Sequence, residues 1–514
     1  GEAGAEATAA ESSGPPAQLL LVASDSSSEA ADRLAKLLED RFPVVVTAID
    51  AGAYRPLIDA AVHDGFVYLG EDYFVRPPEA FLSDMAETEK PLLWINYHAW
   101  LQAPETAEQT GIRVRDIHDN TLDRVLRKDV TEIGPVDTSL TVVRHPAQVL
   151  YWLYPRDMSY AVPGAVTAPG MTYVNYLPSF RPGHPGIPAF LAAAEAALSE
   201  VAPETPPPRS AEERLAAAKA DPFRSIIHLP FIADERVVET RSYDDDAYHE
   251  RLLRIRDAGA DWVLVSQTFF QDGTDGALPW AHEQATASLV ELEDIVRDAH
   301  ALGLFVRLSI VVNLTSGSRG PNDWRGMIRP DDPDAWWGVY RQNVLRAARF
   351  ARRMGIEGLS IGAELSALQE DAPHWRALAR DVRQEAGYRG LVSYQVNYNA
   401  LQNMGWADAL DFLSIAAYWP LADTRDPALE ELAESWEAIG AELAAWRKAH
   451  PGVELEFGEI GYASQPYSAL FPFSWRPNRS AQLSLTEQLT CYLALEDFLR
   501  DSPGISGIGI FAST

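Results

Sequence analysis

Between residues 225 and 512 a short apolar run recurs eight times, with stretches of helical spacing between the runs. The runs are SIIHLPFI (225–232), WVLVSQTFF (262–270), LFVRLSIVV (304–312), IEGLSIGAE (356–364), GLVSYQVNY (390–398), DFLSIAAYW (411–419), ELEFGEIGY (454–462) and ISGIGIFA (505–512). Continuous rather than alternating apolarity marks strands covered on both faces, as in parallel sheets. Eight strand–helix units predict a (β/α)8 barrel, the TIM barrel, over residues 222–514. The eighth run lies at the end of the sequence, so its helix is expected either to have been trimmed or to be replaced by residues 189–221 or a loop that seals that side.

The preceding half reads as a separate α/β domain over 17–201. QLLLVAS (18–24), VVVTAID (44–50), FVYLGEDY (66–73) and PLLWINYH (91–98) alternate with helical spacing, as in EAADRLAKLLEDRF (29–42). That rhythm predicts a doubly wound, flavodoxin-like sheet. It continues through SLTVVRH (139–145) and MTYVNYL (171–177), and the helix AFLAAAEAALSEV (189–201) closes it. The domain has no cysteine, no GxGxxG and no Walker motif, which argues against thiol catalysis and nucleotide binding. Asp25 and His98 read as satisfied strand-end polar groups, and the domain as a binding or scaffolding unit. Residues 202–221, opening APETPPPRS, read as a Pro-rich linker. Residues 1–16 are small and polar and cannot bury a core. They read as a disordered tether behind a removed export signal or a lipid anchor, placing the protein in the periplasm or outside the cell.

The chain carries 74 acidic against 43 basic side chains, a formal charge of -31. Such a field repels nucleic acid and anionic membranes and suits a neutral or cationic ligand. No apolar run approaches the roughly 18 residues of a membrane span. One cysteine, Cys491, excludes an internal disulfide and a multi-thiolate metal site. No metal or cofactor is expected.

Catalytic groups of such barrels sit where strands end at the C-terminal face. Run four ends Gly362-Ala363-Glu364-Leu365 and run seven Phe457-Gly458-Glu459-Ile460. A carboxylate after an apolar run is costly unless used or paired. Two of them, on opposite sides of one barrel mouth, suit glycoside hydrolysis, which needs one protonated and one ionised carboxyl. Eleven of the 14 Trp lie beyond residue 222. Trp280, Trp324, Trp419 and Trp475 fall in loops or strand ends, where indoles can pack on sugar rings, whereas Trp336, Trp337, Trp375, Trp436 and Trp446 fall in helices and read as packing.

These motifs resemble those of glycoside hydrolase family 113, the endo-β-mannanase-like branch of the clan with catalytic residues on strands four and seven. TFFQD (268–272), DWRGMIRPDDPDAWWGVY (323–340), IGAEL (361–365), SYQVNY (393–398), AYWPL (417–421) and FGEIGY (457–462) follow in the family's order. The resemblance implies a retaining mechanism with Glu364 as acid/base and Glu459 as nucleophile. It places Trp324, Arg325, Asn397, Tyr418 and Tyr462 on the substrate, with Tyr462 steadying the nucleophile; Gln271, Trp419 and Trp475 are further expected substrate contacts. The chain departs from the clan at Ala363, where many members carry Asn, at Ala416, where an acidic residue is common, and at Phe511-Ala512, where a platform Trp is expected. The expected activity is cleavage of a β-linked mannan-like polymer or exopolysaccharide. The alternative is a non-catalytic polysaccharide-binding component working with exopolysaccharide export machinery.

Overall fold

The computed structural model describes residues 15–102, 106, 109–126, 131–144, 146–155, 162–199, 201, 209–229, 246–276, 278–282, 285–315, 323–473, 483–501 and 504–511. The chain divides into two compact units, 1–207 and 208–514.

In the first unit, β1 (Ala17–Ala23), α1 (Glu29–Arg41), β2 (Val44–Asp50), α2 (Ile58–Val62), β3 (Gly65–Gly70), α3 (Glu79–Glu87) and β4 (Leu92–Asn96) give the expected parallel winding. The sheet then extends through β5 (Ile112–Leu126), β6 (Thr131–Val143), β7 (Gln148–Pro155), β8 (Val162–Ala168) and β9 (Met171–Val174), and α4 (Ile187–Leu198) ends the unit. The order is β2-β1-β3-β4-β9-β8-β7-β5-β6. It is parallel from β2 to β9 and antiparallel beyond. The antiparallel half is additional to the doubly wound expectation. Its long strand IRVRDIHDNTLDRVL mixes apolar and charged positions, a pattern that only antiparallel or edge strands tolerate. Leu19, Leu21 and Ala23 pack under α1 and α4, while Leu20 and Val22 face Tyr54 and Phe81, so both faces of the parallel half are covered. His98 is buried between the Tyr68 hydroxyl and the Tyr73 carbonyl, and Asp25 accepts hydrogen bonds from Ser27.

The second unit begins with α5 (Ala211–Ala220), inside the stretch expected to be linker. Ser210 and Glu213 form a capping box, and Ala218 is buried among Ile226, Trp262, Leu264 and Phe305. Arg214 donates to the buried Glu357 carboxylate at 3.0 Å, and Trp262 Nε1 donates to Asp221 at 2.8 Å. These partners lie at or near the starts of barrel strands, so α5 plugs the barrel floor. The barrel follows as β10 (Arg224–Leu229), α6 (Asp246–Asp257), β11 (Trp262–Gln271), α7 (Leu289–Ala301), β12 (Phe305–Leu314), α8 (Pro333–Met354), β13 (Gly358–Ala363), α9 (Ala372–Gln384), β14 (Leu391–Asn397), β15 (Phe412–Ala416), α10 (Leu429–Ala449), β16 (Glu454–Ile460), α11 (Leu485–Asp501) and β17 (Ile505–Ile510). All eight strands are parallel and close in sequence order, β17 pairing with β10. Among the described residues no helix is long and apolar enough to cross a membrane.

Inside the lower barrel three charges meet. Glu456 accepts from Arg224 Nε at 2.8 Å, from Arg307 Nη2 at 3.1 Å and Nη1, and from Ser414 Oγ at 2.9 Å. Both guanidinium groups stack over Phe412, at 4.4 and 4.6 Å. Burial alone would raise the Glu456 carboxyl, but the two arginines overcome it and hold it at about 2. Above it, His228 Nε2 donates to the Gly458 carbonyl at 2.6 Å, and burial lowers its pKa to about 4.

Two outcomes follow. A barrel fragment starting at Pro208 should unfold like the second unit of the whole chain. One starting at Leu215 loses the capping box and Arg214, one of the donors to buried Glu357 beside His300 and the Val306 amide, and its urea-derived stability should fall by about 1–3 kcal/mol. Both titrating groups also predict acid sensitivity. The depressed Glu456 supplies stability present above its unfolded pKa near about 4.3 and lost as pH falls toward 2. The depressed His228 favours the unfolded state once pH drops below about 6.5, where the unfolded imidazole takes the proton more readily. Denaturant midpoints measured from pH 7 to 3 should therefore decline throughout, with Glu456→Gln flattening the lower part.

Candidate active site

Both strands that carry the key glutamates are bulged. Between β13 and β14 the register runs Ser360↔Ser393, then Ala363↔Gln395; between β15 and β16 it runs Ser414↔Glu456, then Ala416↔Glu459. An extra residue on β13 and on β16 reverses the alternation, so Glu459 turns inward although it lies an odd number of positions from the inward Glu456. Glycines make room for this. A Cβ on Gly458 would lie 1.6 Å from Ser414 Oγ, and one on Gly362 would press on Tyr340, Tyr394 and Trp375 at 2.8–3.0 Å. Glu364 follows β13 with φ of 52°, a left-handed conformation that costs a non-glycine residue roughly 1–3 kcal/mol.

The two carboxylates have different surroundings. Glu364 accepts from Arg325 Nη1 at 2.6 Å and from Asn397 Nδ2 at 3.2 Å, and its side chain is 14 % exposed. Burial raises its pKa; Arg325 opposes this and the charge of Glu459 adds to it, leaving the acid above its ordinary value. Arg325 is itself aimed: its Nε and Nη2 donate to Asn313 Oδ1 at 3.0 and 2.8 Å. Glu459 accepts from two neutral donors, Tyr418 Oη at 2.9 Å and Gln395 Nε2 at 2.5 Å. Burial and the adjoining carboxylate push the Tyr418 phenol upward, so it remains a donor across any working pH. One carboxyl with a raised pKa facing a second held by neutral donors suits the division of labour of glycoside cleavage.

Glu364, Glu459, Arg325, Asn397 and Tyr418 thus converge. Trp324 precedes Arg325, is half-buried, and lays its ring against Gly326. Other expected contacts lie elsewhere. Tyr462 is buried against Tyr492, ring centroids 5.3 Å apart, and the phenol on Glu459 belongs to Tyr418 instead. Gln271 is buried, accepting from Trp336 Nε1 at 2.7 Å and donating to the Gly273 carbonyl, so it braces the end of β11. Trp419 packs on Tyr398, Trp436 and Phe457 and is 9 % exposed. Trp475 lies outside the described residues. Trp336, Trp337, Trp375, Trp436 and Trp446 are buried, and Trp280 is exposed. Asn313 and Gln395 escaped the sequence reading, since neither carries a charge and Gln395 sits inside an apolar run. Among the described residues no group of three or more His, Cys, Asp and Glu side chains could hold a metal ion.

Since Arg325 pulls the Glu364 pKa down, Arg325→Met should let it rise. The protonated acid would then persist to higher pH, and the alkaline limb of the kcat/KM profile should move up by about one unit. An unmoved or lowered limb would contradict the pairing.

The sequence profile of glycoside hydrolase family 113 matches residues 236–512. Among solved structures, a GH113 β-1,4-mannanase in a complex shares 21 % identity, covering 56 % of this chain and 87 % of its own, with a TM-score of 0.48. A GH113 β-mannanase from Alicyclobacillus acidocaldarius, in complex with ManMIm, shares 24 % over 56 % of this chain and 86 % of its own, TM-score 0.48. An endo-β-1,4-mannanase from Thermotoga petrophila shares 14 % over 57 % and 68 %, TM-score 0.37. A comparison with curated protein sequences returns no match.

Proposed function

Because the chain belongs to glycoside hydrolase family 113, whose profile spans just over half of it, we propose that it is a retaining endo-glycosidase of β-linked, mannan-like polysaccharide. Glu459 attacks the anomeric carbon while Glu364 gives its proton to the leaving oxygen. Water, deprotonated by Glu364, then releases the glycosyl group from Glu459 with net retention. The observation that carries this reading is the contrast between the two carboxyls. Burial and the Glu459 charge raise the Glu364 pKa against the pull of Arg325, while Tyr418 and Gln395 orient Glu459 with neutral hydrogen bonds. Arg325 and Asn397 hold Glu364 toward the cleft, and Trp324 beside them is suited to a sugar face. The net charge of -31 fits a neutral or cationic polymer and disfavours a polyuronate.

Reducing ends released from mannan, glucomannan and an acetylated hexosamine polymer should identify the substrate. On it, Glu459→Gln should abolish turnover, and an activated fluoro-sugar should label Glu459 of the wild type. Glu364→Ala should lose at least about 10²–10⁴-fold on the polymer, keep the first step on dinitrophenyl glycosides, and regain turnover with azide. Inverted product, or label on another residue, contradicts the assignment. Activity on none of the polymers, with tight binding of one, would instead favour a polysaccharide-binding role.

A further inference from the structure

The left-handed turn at Glu364 is held on several sides. The Glu364 amide donates to the Gln395 carbonyl at 2.7 Å, and Tyr340 Oη donates to the Ile361 carbonyl at 2.8 Å. The amide of Leu365, the residue just past the turn, donates to Tyr394 Oη at 2.8 Å, and Gln369 Nε2 donates to the same oxygen at 3.1 Å. Leu365 is 1 % exposed, so without the phenol its N–H would be buried away from water. Tyr394 is fully buried, edge-on against the stacked Trp375 and Trp406 at centroid distances of 4.9 and 5.3 Å. Its oxygen therefore has little freedom to follow a moving turn. Tyr394 stands on β14 between Ser393 and Gln395, so strand alternation puts its side chain on the face opposite that of Gln395.

We propose that Tyr394 is a positioning residue whose hydroxyl clamps the 364–365 peptide and thereby aims the Glu364 carboxyl at the leaving-group oxygen. The proposal rests on Glu364 being the acid/base. With the clamp gone, the turn relaxes toward ordinary backbone angles and the carboxyl swings from Arg325 and Asn397. Only steps that need the Glu364 proton then suffer. Burial raises the phenol's own pKa, so the clamp stays neutral over any pH at which the enzyme works.

The test compares Tyr394→Phe with Tyr340→Phe in the full chain. Each removes one buried hydroxyl bonded to the backbone of this region, but only Tyr394 contacts the peptide after Glu364. The probes are mannohexaose and dinitrophenyl β-mannobioside. For Tyr394→Phe, kcat on mannohexaose should drop at least about 10-fold, a part of the general-acid contribution, with little change in KM. The rate at which the dinitrophenyl glycoside loads Glu459 should hold within about twofold, since that leaving group needs no proton. Tyr340→Phe should affect both probes alike. Equal losses on both probes in Tyr394→Phe, or no loss on either, overturn the proposal. If the wild type cleaves neither probe, the mannan reading fails on its own, and crystal structures decide the clamp. A Glu364 carboxyl displaced from Arg325 and Asn397 in Tyr394→Phe supports it; an unmoved one overturns it.

Discussion

Everything in the barrel is built around a carboxylate that ought not to be there. Glu456 is wholly inaccessible, yet four hydrogen-bond donors from Arg224, Arg307 and Ser414 surround it. Replacing such a triad by well-packed apolar groups can be neutral in energy, whereas removing one member leaves a buried charge uncompensated. Its effect is registration. Arg224, Arg307, Ser414 and Glu456 come from strands one, three, six and seven, so a slip of any one of them would part opposite charges in a dry interior. Phe412 beneath both guanidinium groups fills the space that shorter side chains would leave to water.

Glu456 also anchors the foot of the strand that presents Glu459. Three residues higher, the bulge turns the alternation over, and His228 ties down the Gly458 carbonyl within it. Strand four repeats the device around Gly362, ending in the strained turn of Glu364. Charge below and strain above are the two ends of one arrangement. The rigid floor lets the mouth hold backbone angles that a looser barrel would relax.

Much of this was legible. The eight strands stand out because burial on both faces demands unbroken apolar runs, and Glu364 and Glu459 stand out because they end two of them. Tyr462 misled for a geometric reason. It lies three places beyond Glu459 along the chain, about 10 Å in extended conformation, whereas Tyr418 comes from the neighbouring strand, which runs about 4.8 Å away. Asn313 and Gln395 carry no charge and so leave no mark in an apolar run. The antiparallel half of the first sheet hid behind its polar positions, and α5 behind the prolines before it. The bulges have no signature beyond their glycines, so the inward turn of Glu459 could be inferred only from the chemistry it would perform.

Gln395 and Asn397 are two residues apart on one strand; the first grips Glu459 and the second Glu364. The gap between the reacting carboxyls is therefore not simply the width of the barrel, which breathes with all eight strands. It is held by two side chains of one strand, and the repeat along a strand is among the least compliant lengths in a folded chain. Thermal swelling of the barrel would carry both carboxyls along with β14 before it drew them apart. The stereochemical outcome of the reaction, which turns on a few ångströms of that gap, is buffered against the motions of the scaffold.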